Sequence, residues 1–282
     1  MGSGRSSSAG WKRFDNVPAG KELILITETI YHLSVPFRIA LLTDLHNHPF
    51  SDIHASLQAH CPEIICIAGD VAYGGMPGLE DYLVEVQEHV LPFLRMCAAA
   101  APTFLSLGNH ELTFCDGDLL RIRDSGVCLL DNTWTEYRGV FIGGLTSHRV
   151  LQYRRFRLDK TERYPKQRHI RRLVRDPDTG WLDVFEQLDG YRILLSHHPE
   201  YYPKYLCSRD LDLILSGHAH GGQWRIGGRG LYAPGQGLFP SLTSGVHENR
   251  LVVSRGLSNT APVPRLHNPA EIVYLDPWPG NS

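Results

Sequence analysis

Apolar positions in this chain of 282 residues fall into short blocks, each closed by small or charged residues. Lys21 to Ile30 alternates apolar and polar positions, which predicts a half-buried strand. Phe37 to Thr43 (FRIALLT) is nearly all apolar and predicts a strand covered on both faces. Ser51 can cap a short amphipathic helix that ends at Cys61-Pro62. Glu63 to Ala68 (EIICIA) predicts a second buried strand and Thr103 to Leu107 a third. Between them, Leu79 to Leu94 carries acids among apolar positions, as an amphipathic helix bent at Pro92 would. Val127 to Leu130 and Val140 to Ile142 add short strands. Trp181 to Leu188 predicts a short helix, Tyr191 to Ser196 and Leu211 to Leu215 buried strands, Gly227 to Gly237 a long loop, and Leu251 to Ser254 and Glu271 to Leu275 the last strands. Strands alternating with helices imply βαβ units, a largely parallel sheet and an α/β fold.

The residues that close these strands change the picture. Phe37 to Thr43 runs into Asp44-Leu45-His46, Glu63 to Ala68 into Gly69-Asp70, and Thr103 to Leu107 into Gly108-Asn109-His110-Glu111. Tyr191 to Ser196 delivers His197-His198-Pro199, and Leu211 to Leu215 delivers Ser216-Gly217-His218-Ala219-His220-Gly221-Gly222. In open α/β sheets, ligands gather at the carboxyl ends of strands. Side chains at i and i+2 of an extended segment share a face, so Asp44 with His46 and His218 with His220 can converge. Each piece alone has a bland reading: a Gly-Asp is an ordinary turn, and His197 can be a core histidine or yield its place to His198. Five such pieces, each at a strand end, form a set that chance does not readily supply.

Together, Asp44, His46, Asp70, Asn109, His197, His218 and His220 offer too many oxygen and nitrogen donors for one tetrahedral ion. They suit two ions of higher coordination sharing a carboxylate. Two metals about 3.5 to 4 Å apart can hold one hydroxide between them as in-line nucleophile and clamp the oxygens of a phosphate ester. Mixed carboxylate, amide and imidazole donors accept Mn, Zn, Fe, Co or Ni. Glu111 reads either as an acceptor orienting an imidazole or, preferably, as a first-turn helix residue favoured by the dipole. Gly221, Gly222 and Gln223 shape the rim, and Trp224 either stacks on substrate or packs; Gly222, Gln223 and Trp224 are the candidate substrate contacts.

Composition bounds the rest. A formal net charge of −2 gives no global attraction to nucleic acid or anionic lipid. Six cysteines without a Cys-x-x-Cys pair favour a reducing, cytoplasmic compartment. No run reaches the roughly 18 apolar residues of a membrane span. Residues 1–20 read as a disordered or cloning-derived tail, although Met1-Gly2 with Ser6 fits an N-myristoylation pattern that would place the protein peripherally at a membrane. Residues 21–282 read as one domain with a basic insertion at 148–176. Arg149 to Arg175 holds eleven Lys and Arg against Asp159 and Glu162. That segment is either a solvated insertion or a basic lid that recruits a polyanionic or lipid-linked phosphate.

The five strand-end motifs resemble those of the calcineurin-like metallophosphoesterase superfamily over about Ile39 to Leu275. The Leu194 to Pro199 and Gly217 to Gln223 segments, with Ser254-Arg255-Gly256-Leu257 and the Pro-rich segment ending at Arg265, resemble most the bacterial YkuE/YaeI-type branch. The resemblance implies a four-layer α/β/β/α sandwich of two mixed sheets flanked by helices. It implies one metal on Asp44, His46, Asp70 and His220 and a second on Asp70, Asn109, His197 and His218. It places His110 beside the metals, assisting the leaving group, and makes Asp70, Asn109 and His110 the catalytic set. The implied activity is phosphoester hydrolysis, phosphodiesters before monoesters. Two other readings stay open: an idle scaffold for protein interaction, and a nuclease using Tyr153, Phe156 and Tyr164 among the insertion's arginines.

Overall fold

A computed structural model of the chain describes residues 26–74, 84–159, 175–261 and 263–279. The first sheet is assembled from β1 (Ile26–Leu33), β2 (Ile39–Leu42), β3 (Ile64–Ile67), β4 (Thr103–Ser106), β5 (Cys128–Leu130) and the distant β16 (Ala270–Pro277) in the order β1-β16-β2-β3-β4-β5. Its pairings are parallel except where β16 meets β2. The second sheet joins β6 (Thr133–Tyr137), β7 (Val140–Leu145), β8 (Tyr191–Ser196), β9 (Leu213–Ser216), β14 (Gly245–His247) and β15 (Leu251–Val253) in the order β14-β15-β9-β8-β7-β6, antiparallel only at its two edges. Both sheets are therefore mixed.

Why four layers form follows from the apolar runs. In β2, Ile39 and Leu41 face the second sheet and meet Val140, Ile142, Ile193, Leu195, Leu213 and Leu215. The alternate residues Ala40 and Leu42 face outward into a cluster with Ile53, Leu57, Phe93, Leu94 and Ile122. Those last come from α1 (Ser51–His60), α2 (Leu91–Ala100) and α3 (Asp116–Asp124). On the far side, Leu194, Ile214 and Leu251 pack against Leu182, Phe185 and Tyr202. A strand buried on both faces cannot alternate with polar residues, which explains the continuous runs. Each fully buried Leu or Ile contributes about 1.5–3 kcal/mol.

Several expectations are corrected. Ser51 is the first helical residue of α1 and makes no capping bond; Phe50 holds the cap position, and Cys61 ends the helix in the left-handed region. The bend near Pro92 is a π-helical stretch at Val86–Val90 that runs into α2, with Pro92 in the new first turn where its missing N–H matters least. The Gly-rich loop is not structureless: it forms two short hairpins, β10 (Arg225–Ile226) with β11 (Arg229–Gly230) and β12 (Tyr232–Ala233) with β13 (Gly237–Leu238). The basic insertion begins as α4 (His148–Asp159), whose Val150 and Tyr153 are buried and whose Arg154 pairs with Asp131 at 2.8 Å. Residues 160–174, the rest of that segment, lie outside the described residues, as do the tail and the start of the predicted first strand. Among the described residues no helix is long and apolar enough to cross a membrane.

Candidate metal centre

The carboxyl ends of β2, β3, β4, β8 and β9 meet at one edge of the sandwich. Backbone bonds knit them: Asp44 N donates to Gly69 O (3.2 Å), His46 N to Asp70 O (3.2 Å), Gly217 N to His197 O (3.0 Å) and Leu257 N to Thr43 O (3.0 Å). Asp44 further accepts the His218 N–H at Oδ2 (3.1 Å) and a short bond from the Thr43 hydroxyl. Because the first sheet supplies Asp44, His46, Asp70 and Asn109 and the second His197, His218 and His220, the site exists only where the two sheets are docked.

Two donor triads lie within this edge. Single ligand atoms of Asp44, His46 and His220 all fall within 4.8 Å of one another, and so do those of Asp70, His197 and His218. The nearest approaches are His197 Nε2 to Asp70 Oδ2 at 3.0 Å and His220 Nε2 to Asp44 Oδ1 at 3.4 Å. Two donors each about 2.1 Å from one cation lie roughly 3 to 3.5 Å apart, so these separations fit shared ligation. His46 Nε2 and Asn109 Oδ1 are buried without a hydrogen-bond partner. An orphaned buried polar atom costs about 1–3 kcal/mol, and two converging at one place match a site built for cations.

The backs of two rings are fixed. His46 Nδ1 lies 3.0 Å from Ala72 O and His197 Nδ1 2.7 Å from Ala68 O. A carbonyl can only accept, so each Nδ1 carries a proton and Nε2 is the atom each ring turns toward the site; ligation there requires that Nε2 carry no proton, which for His197 means releasing the one it shares with Asp70. His220 differs, because Arg265 Nη2 approaches its Nδ1 at 3.1 Å as a donor. The His197–His198 ambiguity resolves geometrically: His197 faces Asp70, whereas His198 turns to Ser147 Oγ (2.7 Å) and Glu200 Oε1 (3.1 Å). His198, Glu200 and His218 form a further donor group that sequence reasoning did not anticipate.

Charges shape the centre. Burial works to raise Asp70, but the His197 and His110 imidazoles outweigh it and hold the carboxyl well below its ordinary range. Asp44 is likewise depressed against burial, chiefly by His220 and His46. Burial works to lower His197, yet the Asp70 carboxylate lifts it to about 10. Burial drops His220 to about 4 and, with His198 nearby, takes His218 well below normal. Neutral His218 and His220 are the forms a metal requires.

Backbone strain concentrates here as well. Asp44, His46, Asp70, His218 and His220 all have positive φ, between 45° and 64°. Each non-glycine residue in that region costs on the order of 1–2 kcal/mol, and such residues persist where surrounding structure holds them for function. Glycines permit the close crossing of strands: a Cβ on Gly217 would overlap Thr43 Oγ1 and lie 2.5 Å from Asp44 Oδ2. Gly217→Ala is expected to cost about 1–3 kcal/mol by overpacking and to weaken metal uptake. Thermal denaturation with metal titration checks this; a variant that melts and loads like wild type would show that β2 and β9 can part without consequence.

Two buried acids support the centre. Glu111 does lie in the first turn of a short 3-10 helix, His110–Thr113, but its carboxylate bonds neither an imidazole nor that helix's solvent side. It is fully buried and accepts the backbone N–H groups of Asp70 (2.9 Å), Gly108 (2.7 Å) and Ala72 (3.1 Å). Burial, then the nearby Asp70 charge, push its carboxyl up to about 7. Glu85, within the predicted amphipathic helix, is buried and accepts from Asn47 Nδ2 (2.7 Å), Tyr73 N (2.6 Å) and Gly74 N (3.1 Å). It thereby holds the loop whose Tyr73 carbonyl accepts the Nδ1–H of His110. With Nδ1 so engaged, His110 turns its Nε2 toward Asp70 Oδ2 at 3.9 Å.

The substrate-contact candidates Gly222, Gln223 and Trp224 border the same cavity of about 570 Å³ that Asp70, Asn109, His110, His218 and His220 floor. Gly222 allows the Gly230 backbone to approach, since a Cβ there would overlap it. Trp224 is half-exposed, with Nε1 donating to Pro264 O at 2.9 Å.

This arrangement has relatives. Residues 37–222 match the model of the calcineurin-like phosphoesterase family, and the chain belongs to that family. It is 25% identical over 207 residues to the uncharacterized protein YpbG of Bacillus subtilis, covering 71% of this chain and 68% of that one. It is 27% identical over 258 residues to the uncharacterized metallophosphoesterase Cj0846 of Campylobacter jejuni, covering 88% of this chain but only 60% of that protein. Among solved structures, a dimetal phosphatase from Danio rerio is similar at 12% identity, over 80% of this chain and 89% of the other, with a TM-score of 0.47. The protein is a metal-dependent hydrolase of phosphoesters.

Proposed function

We propose that the centre holds two divalent transition-metal ions and that the protein cleaves phosphodiesters in preference to monoesters. One ion is assigned to Asp44, His46, Asp70 and His220, the other to Asp70, Asn109, His197 and His218, with Asp70 between them. The observation that carries this reading is the pair of donor triads, Asp44-His46-His220 and Asp70-His197-His218, with His46 Nε2 and Asn109 Oδ1 buried and unpartnered beside them. Divalent ions there supply Lewis acidity toward phosphoryl oxygens and make water a nucleophile at neutral pH.

The chain's own residues do the remaining work. Tyr73 and Glu85 fix the His110 ring so that Nε2 can give a proton to the departing oxygen or stabilise charge building on it. Asn109 and Asp70 are held in place by the Glu111 bonds to their loops. Among the described residues lining the cavity there is no Lys or Arg to meet the second charge of a monoester dianion. A diester monoanion with two substituents suits that environment better.

The test is a panel of phosphomonoesters, nucleotide diesters, cyclic nucleotides and pyrophosphate-linked esters, assayed after reconstitution with Mn, Zn, Fe, Co or Ni. About two equivalents of metal and a diester preference of tenfold or more are expected; a monoester preference overturns the diesterase assignment. Less than half an equivalent of metal would favour an idle scaffold. His110→Ala is expected to keep its metal and lose about 10²–10⁴-fold in kcat. The loss should be larger for alkoxide than for p-nitrophenolate leaving groups, and equal losses would remove the acid role.

A further inference from the structure

One side of the cavity beside the metal centre is built from carbon. Trp224, Leu231, Tyr232, Pro234, Ala261 and Val263 line it opposite the imidazole and carboxylate floor. The polar groups nearest this wall are already engaged. The Gln223 amide nitrogen donates to Asn259 Oδ1 (3.1 Å) and Val263 O (2.7 Å), and the Trp224 indole donates to Pro264 O. Thr260, the Tyr232 hydroxyl and Gln223 Oε1 are the polar groups this side still offers, few against its apolar lining, whereas reading the edge of a base or the hydroxyls of a sugar needs several placed partners.

The wall continues outward into solvent. Tyr232 pairs directly with Leu238 across β12 and β13, and directly paired residues point to the same face, so Leu238 prolongs the surface that Tyr232 begins. Phe239, whose N–H donates to Leu231 O, follows it. Leu238 is 69% and Phe239 78% exposed, and Phe239 holds a φ of +53°. A bulky residue kept in the left-handed region and turned to water is costly twice over, in backbone strain and in exposed apolar area. Contiguous exposed apolar surface at the mouth of a cavity marks a place where something apolar docks.

We infer that this wall is a subsite for a long aliphatic substituent, and that the substrate is an amphiphilic phosphodiester with its phosphate at the metal centre and its chain along Tyr232 toward Leu238. The inference rests on the phosphodiesterase reading above and names the substrate class for that same site. The cavity volume lies within the range that buries most of a small ligand. Each methylene removed from water there should raise kcat/KM by up to about fourfold.

The test uses the full, metal-loaded protein and a series of alkyl p-nitrophenyl phosphodiesters from methyl to octyl, kept monomeric, beside the p-nitrophenyl ester of thymidine phosphate. From methyl to hexyl, kcat/KM is expected to rise at least about tenfold. Tyr232→Ser and Leu238→Asp, two substitutions at exposed hairpin positions, should each flatten that slope while the metal content stays at the wild-type level. Binding of octyl phosphate, measured by calorimetry, should show a negative heat-capacity change that inorganic phosphate lacks and that Leu238→Asp diminishes. Turnover of the methyl ester with a flat series, slopes unaltered in both variants, or a thymidine ester preferred over every alkyl ester would each overturn the inference and leave the diesterase reading standing. Failure of all these esters with a fully loaded centre would remove both.

Discussion

Asp70→Asn is expected to lower bound metal from two equivalents to fewer than one and kcat/KM by on the order of 10³ or more. Asp70 is 1% exposed, and its Oδ2 faces three imidazole nitrogens: His197 Nε2 at 3.0 Å, His46 Nε2 at 3.8 Å and His110 Nε2 at 3.9 Å. Its Oδ1 accepts the His110 backbone N–H at 2.8 Å. An Asn can keep that last bond with its carbonyl oxygen, but then turns an NH₂, which cannot ligate, toward the imidazoles. The charge that binds a cation disappears while the shape remains. Losing the buried pair with His197 should also lower the Tm, so metal content is measured on the folded variant well below its Tm, where a loss of metal cannot be put down to unfolding. Elemental analysis, activity and thermal denaturation of the same preparation check all three outcomes. A variant retaining two equivalents and full activity would displace Asp70 from the centre.

The second large effect is expected at Glu111. Three backbone N–H groups from two loops end on one buried carboxylate, so no water can replace it. Gln offers a single accepting oxygen. Placed where Oε2 now serves Asp70 and Gly108, it aims its NH₂ at the Ala72 N–H and leaves that donor unsatisfied. An unsatisfied buried donor costs about 1–3 kcal/mol, and Glu111→Ala, which orphans all three, should cost more. A Tm lower by about 5 °C is expected for Gln. Because the same bonds fix the backbone at Asp70 and Gly108, metal affinity should fall about 10–100-fold, the range seen when groups behind a ligand are lost. Metal titration of the folded variant at a temperature well below its Tm separates the two effects. Wild-type stability in Glu111→Ala would show that the loops hold themselves.

Much of this site could be read before any coordinates. A strand covered on both faces must be apolar throughout, so β2, β3, β8 and β9 announced themselves as uninterrupted blocks, and the polar residues just beyond each block stood out. What patterning could not supply was the environment of acids whose partners lie far along the chain. Glu85 stands among the acids of a predicted amphipathic helix with nothing to single it out, yet its partners are Asn47, Tyr73 and Gly74. Glu111 carries no local sign that Asp70, about forty positions away, would present an N–H to it. The hairpins of Tyr232 and Leu238 were hidden for a different reason. Two-residue strands rich in glycine have too few side chains to show a period.

The order of residues alone determined the layered α/β character, the strand ends and the seven candidate donors, because alternation and burial on two faces are local consequences of chain geometry. Only the tertiary structure decided which imidazole of His197 and His198 faces Asp70, which ring nitrogens turn toward the centre, and that one wall of the cavity is mostly apolar. Those depend on distances between segments brought together by the docking of two sheets. No sequence period encodes such distances, since the energy that sets them is the packing of one buried face upon another.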